Sequence, residues 1–280
     1  MTSNSSAIAS TDPGRHLFVF VGGLHRSGTS LLTRLLCTLP GTTGFRSTGV
    51  PEDEGQHLQS VFQPAKAFGG PGRFCFDENS RLDESNGMVT DENKAKLWAE
   101  WGSHWDLKCP VLVEKSPPNL VRARFLQAMF PRTAFVFIVR HPVAVALATQ
   151  KWSKTSTSSL LDHWARAHRI LGEDLPQLHR ACMIRYEDLV SNPSRIIQQL
   201  ARFLEVEQAT ESDEGPPVDA TVNRHYFNLW ESSGDIQPLR SALSSWSLDN
   251  GDILDKFGYR LEAPYVTDTG GLPAQLAGST

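Results

Sequence analysis

Residues 19 to 32 read VFVGGLHRSGTSLL. An apolar run, Leu17 to Val21, leads into a glycine-rich turn, and Leu31, Leu32, Leu35 and Leu36 follow at helical spacing. Strand, glycine loop and helix in that order make a phosphate cradle, because the backbone N–H groups opening a helix attract an anion. Gly23 and Gly28 carry the spacing of the triphosphate loop G-x-x-x-x-G-K-[ST], and Ser30 closes it. Thr29 stands where that loop requires lysine. Its fixed positive charge is Arg26, inside the loop. The cradle is therefore expected to hold a phosphate other than the γ-phosphate of a triphosphate.

Two further apolar strands end on cations. "VLVEK" delivers Lys115 and "TAFVFIVR" delivers Arg140, each followed by a proline-started helical pattern (117–130 and 142–153). "ACMIRYEDLV" gives a fourth strand and turn, followed by a helix from Pro193. Helical patterns also cover 28–38, 91–105 and 157–179, with short ones after the acidic run at 52–54 and over 237–247 and 250–257. Strands alternating with helices predict an α/β fold, a P-loop-like three-layer sandwich whose central, mainly parallel sheet is flanked by helices. In such sheets ligands sit beyond the carboxyl ends of the strands, where Arg26, Lys115 and Arg140 would meet.

Composition narrows the classes. The chain has 280 residues and a formal net charge of −4, which argues against nucleic-acid binding through overall basicity. Cys37, Cys75, Cys109 and Cys182 are far apart and read as thiols of a reducing compartment rather than a disulfide or metal framework. The first residues lack a signal peptide's pattern, and no apolar run reaches the roughly 18 residues of a membrane span. A cytoplasmic protein is the expectation. Residues 1–15 read as a disordered lead, 16–262 as the domain and 263–280 as a flexible tail. Within the domain, the Gly- and Pro-rich excursion 64–90 is expected on the surface as a lid or acceptor loop. Trp98, Trp101 and Trp105 share a helix face that would pack in the core or wall an acceptor cleft.

A kinase or NTPase needs a metal-holding Asp at the end of a second apolar strand, where this chain has Arg140. A ligand with one 5′-phosphate joined to a less charged group suits the loop better. Here the sequence resembles the sulfotransferases that use 3′-phosphoadenosine 5′-phosphosulfate (PAPS). "GLHRSGTSLLTRLL" is similar to that family's 5′-phosphosulfate loop in the variant of the tyrosylprotein and bacterial members. "FIVRHPVAVALATQ" resembles its 3′-phosphate motif, "VEKSPPNL" the EK-[ST]-P segment of the heparan-type branch, and "IRYEDLVSNP" the segment whose tyrosine lies near adenine.

The resemblance implies roles. His25, Arg26, Ser27, Gly28, Thr29 and Ser30 would hold the 5′-phosphosulfate, Arg140 the 3′-phosphate, and Tyr186 the region of the adenine. Arg26 and Lys115 would stabilise the charge growing on the leaving phosphate, with no metal required. Ala148 occupies the position where the family normally has serine, so Thr149, Ser153 or a backbone amide is expected to replace it. Arg224, in "NRHYFNLW", would cap the nucleotide from a late loop. For the base that takes the acceptor's proton, "PEDEGQH" offers Glu52, Asp53, Glu54 and His57, since adjacent carboxylates raise one another's pKa. An E-x-Q arrangement of the heparan-type branch resembles Glu54-Gly55-Gln56 and favours Glu54. The acceptor would be a hydroxyl or amine of a small molecule, glycan or peptide. The competing readings are a nucleotide kinase or NTPase with a degenerate loop, and a non-catalytic module that binds the product nucleotide 3′-phosphoadenosine 5′-phosphate (PAP).

Overall fold

The computed structural model describes residues 12–208, 218–219, 221–232, 246–247 and 249–260. The N-terminal lead before residue 12, most of the 237–247 helical pattern and the tail 263–280 lie outside the described residues. Five parallel strands form one sheet: β1 (Leu17–Gly22), β2 (Thr42–Gly44), β3 (Val111–Lys115), β4 (Thr133–Val139) and β5 (Ala181–Arg185), in the order β2-β3-β1-β4-β5. Helices follow as α1 (Thr29–Leu36), α2 (Asp91–Gly102), α3 (Ala123–Met129), α4 (Pro142–Ser153), α5 (Thr157–Asp174), α6 (Tyr186–Ser191), α7 (Pro193–Leu204), α8 (Val222–Ser232) and α9 (Gly251–Lys256).

The pleat explains why the strands are apolar on both sides. Phe18, Phe20, Leu112, Phe135 and Phe137 face one layer, where they meet Trp98, Trp101 and Trp105 together with Trp164 of α5. Val19, Val21, Val113, Val136 and Ile138 face the other, against Leu32 and Leu36 of α1 and Ile197 and Leu200 of α7. The two faces thus carry different chemistry, aromatic on one and aliphatic on the other. Trp98, Trp101 and Trp105 are at most 7% exposed. They are core residues and do not wall an acceptor cleft. No helix among the described residues is long and apolar enough to cross a membrane.

Several expectations change in detail. Residues 42–44, where no local pattern predicts an element, add an edge strand paired with Val111–Val113, and the expected helix after the acidic run is two single 3₁₀ turns, Pro51–Asp53 and Gly55–His57. The helix expected over 117–130 is a 3₁₀ turn, Pro117–Val121, and then α3, broken at Arg122, whose φ is −131°. The excursion 64–90 is a chain of single 3₁₀ turns anchored inward by Phe74 and Cys75, both buried. The amide of Cys75 donates to Nε2 of His163 on α5 at 3.2 Å, and Arg166 on the same helix donates to the Cys75 carbonyl at 2.6 Å.

Candidate active site

The chain leaves β1, places β3 on one side of it and β4 on the other, and so opens a crevice at the carboxyl end of β1. Hydrogen bonds join the pieces at that rim. Arg140, just past β4, donates through Nη1 to the Arg26 carbonyl at 2.7 Å. Lys115, ending β3, donates to the Glu52 carbonyl at 2.7 Å, and Ser30 at the start of α1 donates to the Glu52 carboxylate at 3.2 Å. Arg140 is thereby tied to the glycine loop at Arg26, and Lys115, through Glu52 and Ser30, to the start of α1.

The loop keeps its shape for steric reasons. Gly28 sits at φ 99° as the N-cap of α1, and a Cβ there would lie 2.5 Å from the Tyr186 ring. With no side chain capping the helix, its first N–H groups are left for an anion. Arg26 also adopts a left-handed φ of 69°, and its guanidinium lies 4.9 Å from the ring centroid of Trp152, which is 69% exposed. Nδ1 of His25 and the hydroxyls of Ser27, Thr149 and Ser153 are buried without hydrogen-bond partners. Such groups call for a ligand or water, since an unmet buried polar atom is costly. Burial, reinforced by the charges of Lys115, His57 and Arg26, drives the His25 pKa down to about 3. That imidazole is neutral near pH 7, a hydrogen-bonding group rather than a cation.

Arg140 is held on every side. Nε and Nη2 donate to Oδ1 of Asn223 at 2.8 and 2.6 Å, and Asn223 in turn donates to Glu187 at 2.8 Å. The Tyr259 hydroxyl donates to the second oxygen of Glu187 at 2.7 Å. The guanidinium lies 4.2 Å from the Tyr186 ring and 5.5 Å from the Tyr226 ring. Tyr186 is 7% exposed between Gly28 and Arg140, so it borders the loop and presents no broad free face.

The segment holding Arg224 is a helix, α8, and not a loop; Arg224 points outward while Asn223 points to Arg140. Lys151 lies 5.3 Å from the same Tyr226 ring that Arg140 touches. Thr149 is two residues earlier and so about 200° around the helix from Lys151. It faces the 64–90 excursion, where a Cβ on Gly72 would lie 3.3 Å from its methyl. Asn223, Glu187, Tyr226, Lys151 and Trp152 were not singled out by sequence. Lys151 had a readable signal, because it lies one turn beyond Ala148 on the same face.

Glu54 is 6% exposed and forms an ion pair with Lys115 at 3.4 Å. Its other oxygen accepts from Gln56 Nε2, with Nε2 of His57 at 3.8 Å. The neighbouring carboxylates serve otherwise. Asp53 accepts from the Thr48 hydroxyl at 2.6 Å, the Thr48 amide at 2.8 Å and the Ser47 amide at 3.2 Å; these bonds, the Thr48 hydroxyl first, hold its pKa below the ordinary value. Glu52 is exposed, at a left-handed φ of 54°. A cleft of about 480 Å³ opens beside this group, lined by Ser30, Arg34, Phe45, Arg46, Glu52 and Lys115 among others.

The sulfotransferase family model matches residues 19–211, and the chain belongs to that family. Over 201 residues it is 26% identical to protein-tyrosine sulfotransferase 1 of Danio rerio, covering 67% of this chain and 53% of that protein. Over 202 residues it is 25% identical to the protein-tyrosine sulfotransferase of Drosophila melanogaster, covering 67% of this chain and 38% of that one. The chain thus spans about half or less of the length of these curated relatives. Among solved structures, sulfotransferase STF9 of Mycobacterium avium superposes with a TM-score of 0.55 at 14% identity, over 92% of this chain and 80% of that one. The sulfotransferase domain from the curacin biosynthetic pathway gives 0.52 at 19%, over 88% of this chain and 99% of that one. These likenesses establish the shared α/β fold.

Proposed function

We propose that the chain transfers the sulfuryl group of PAPS to a hydroxyl or amine acceptor, with Glu54 as the base. The observation that carries this reading is the buried Glu54–Lys115 pair beside a lysine-free phosphate loop with Arg140 at its other edge. PAPS, when bound, supplies an activated sulfuryl group whose leaving phosphate gathers negative charge. The amides of Gly28, Thr29 and Ser30 and the side chains of His25, Arg26 and Ser27 would hold its 5′ end. The unpartnered atoms of His25 and Ser27 fit that role, because a ligand oxygen would satisfy them. Arg140 would hold the 3′-phosphate, and Lys151 would replace the missing serine hydroxyl as the second group on that phosphate. Thr149, turned toward the excursion, is the weaker partner, and Arg224 would reach the nucleotide only from outside α8. Tyr186 would border the adenine seat while supporting the loop.

Arg26 and Lys115 supply preorganised charge where it develops, which is the main source of rate in such transfers. Glu54 accepts the acceptor's proton at a carboxylate oxygen. Its bonds to Lys115 and Gln56 fix that carboxylate against Lys115, which lines the cleft that an acceptor would enter. The acceptor is a small-molecule, glycan or peptide hydroxyl, and the excursion 64–90 would form part of its wall. An acceptor screen with labelled PAPS tests the reading, and Mg²⁺-dependent ATP turnover without sulfuryl transfer would replace it with the kinase reading.

A further inference from the structure

Glu114, the residue before Lys115, has no part in the chemistry above, yet it is 1% exposed and lies at the centre of the site's supports. Its Oε1 accepts from the Gly55 amide at 3.0 Å and the Ser116 hydroxyl at 2.6 Å. Its Oε2 accepts from Asn119 Nδ2 at 2.5 Å, and that same amide group donates to the carbonyl of Val21, the penultimate residue of β1, at 3.1 Å. Ser116 passes the connection on, because its oxygen accepts from the Gln56 amide at 2.9 Å. Gln56 then donates to Glu54 and fixes its own side chain by accepting from the Ala65 amide at 2.8 Å. Gly55 is gripped from behind as well, its carbonyl accepting from the Trp101 indole at 2.9 Å.

The two residues that follow Glu54 are therefore tied to one carboxylate: Gly55 directly and Gln56 through Ser116. The contact is close enough to dictate sequence, since a Cβ at residue 55 would lie 2.4 Å from Oε1 of Glu114. A buried carboxylate is an expensive way to fill space, and well-packed apolar residues are often at least as stable. Its retention among donors that all point at it implies a positional task. The charged groups facing it are Lys115 on its own strand, Glu54 from the turn and Arg122 from the segment after β3. Burial, with Glu54, brings its pKa up to about 7, against the hydrogen bonds from Ser116 and Asn119 and the charge of Lys115, which favour the carboxylate.

We propose that Glu114 is a positioning residue that sets the turn 54–57, and with it the Glu54 carboxylate, against Lys115. The proposal rests on the reading of Glu54 as the proton acceptor. The variants are Glu114→Gln, Ser116→Ala, Glu54→Gln and the double Glu54→Gln/Glu114→Gln, with Ser116→Ala available should Glu114→Gln fold poorly.

Three measurements on the full chain decide the matter. Amide exchange in 54–57 should quicken by at least about tenfold in Glu114→Gln and Ser116→Ala, while Phe18–Phe20 of β1 stay protected and PAP affinity holds. The Gly55 amide resonance should titrate with a midpoint near pH 7 in the parent chain and lose that step in Glu114→Gln. PAPS turnover, to water or to a screened acceptor, should fall on the order of 10²-fold in Glu114→Gln, because a small misplacement of the base is enough. In the Glu54→Gln background the second substitution should then add nothing. Unchanged exchange in 54–57, or losses that multiply in the double variant, would overturn the proposal. Undiminished turnover in Glu54→Gln would instead remove the base assignment, and the exchange and titration results would still judge the tie itself.

Discussion

Nζ of Lys115 lies 3.4 Å from Oε1 of Glu54, and neither side chain is more than 8% exposed. The cation proposed for the leaving phosphate and the base proposed for the acceptor are thus each other's partners. The pair spares both groups an uncompensated buried charge, which an unliganded site would otherwise carry.

Replacing Glu54 with Gln keeps the shape of the turn and removes the basic oxygen. PAP affinity should stay near that of the parent, while turnover falls by at least about 10²-fold, the worth of a positioned base. Labelled-sulfate assays alongside calorimetry check this, and normal turnover would move the base to another residue.

Lys115→Ala strands the Glu54 carboxylate in a buried site. The unfolding free energy should drop by about 3–5 kcal/mol, the usual result of breaking one side of a buried pair. Denaturant titration near pH 7 measures it; a loss no larger than that of an exposed lysine would mean the pair is well solvated.

Arg140→Ala removes the fork that Asn223 occupies and that a 3′-phosphate would share. PAP binding should weaken by about 10- to 100-fold, as for hydrogen bonds to a charged group. Binding of 5′-AMP should change far less. Equal losses for the two nucleotides would show that Arg140 does not meet the 3′-phosphate.

Acid should destabilise the fold. Burial lowers His25 and His163 to about 3 and His168 to about 4, from 6.5. The unfolded chain therefore binds more protons, so the stability these residues add is complete above pH 6.5 and is lost as pH falls toward those values. Each contributes about 1.4 kcal/mol per pH unit in that window. Glu114, raised to about 7, acts oppositely and offsets roughly one of them between its ordinary 4.5 and 7. Urea midpoints should fall clearly from pH 6.5 to pH 5, with a shallower fall in His168→Gln. A flat profile would contradict the burial of these imidazoles.

The legible parts of the sequence were those where one local pattern decides the outcome. The run "TAFVFIVR" could only be a strand covered on both faces, and Pro142 to Ser153 was bounded correctly because proline opens that helix and the pattern stops at Ser153. Residues 42–44 escaped because a three-residue edge strand has no periodicity; its pairing with Val111–Val113 is a tertiary fact. At the site, Lys115 and Arg140 stand out in the sequence because each ends or follows an apolar strand, and Arg26 because it lies inside the glycine loop. Asn223 was missed because its role depends on how α8 docks, 83 residues away in sequence from the arginine it holds. Nothing local to "VLVEK" announces that the Glu114 carboxylate reaches Gly55.

The account stands most directly on nucleotide calorimetry in chelator. It predicts that PAP binds without magnesium and much more tightly than 5′-AMP, while ATP binds weakly and gains nothing from added Mg²⁺. Tight ATP binding that appears only with Mg²⁺, together with PAP no better than 5′-AMP, would contradict it.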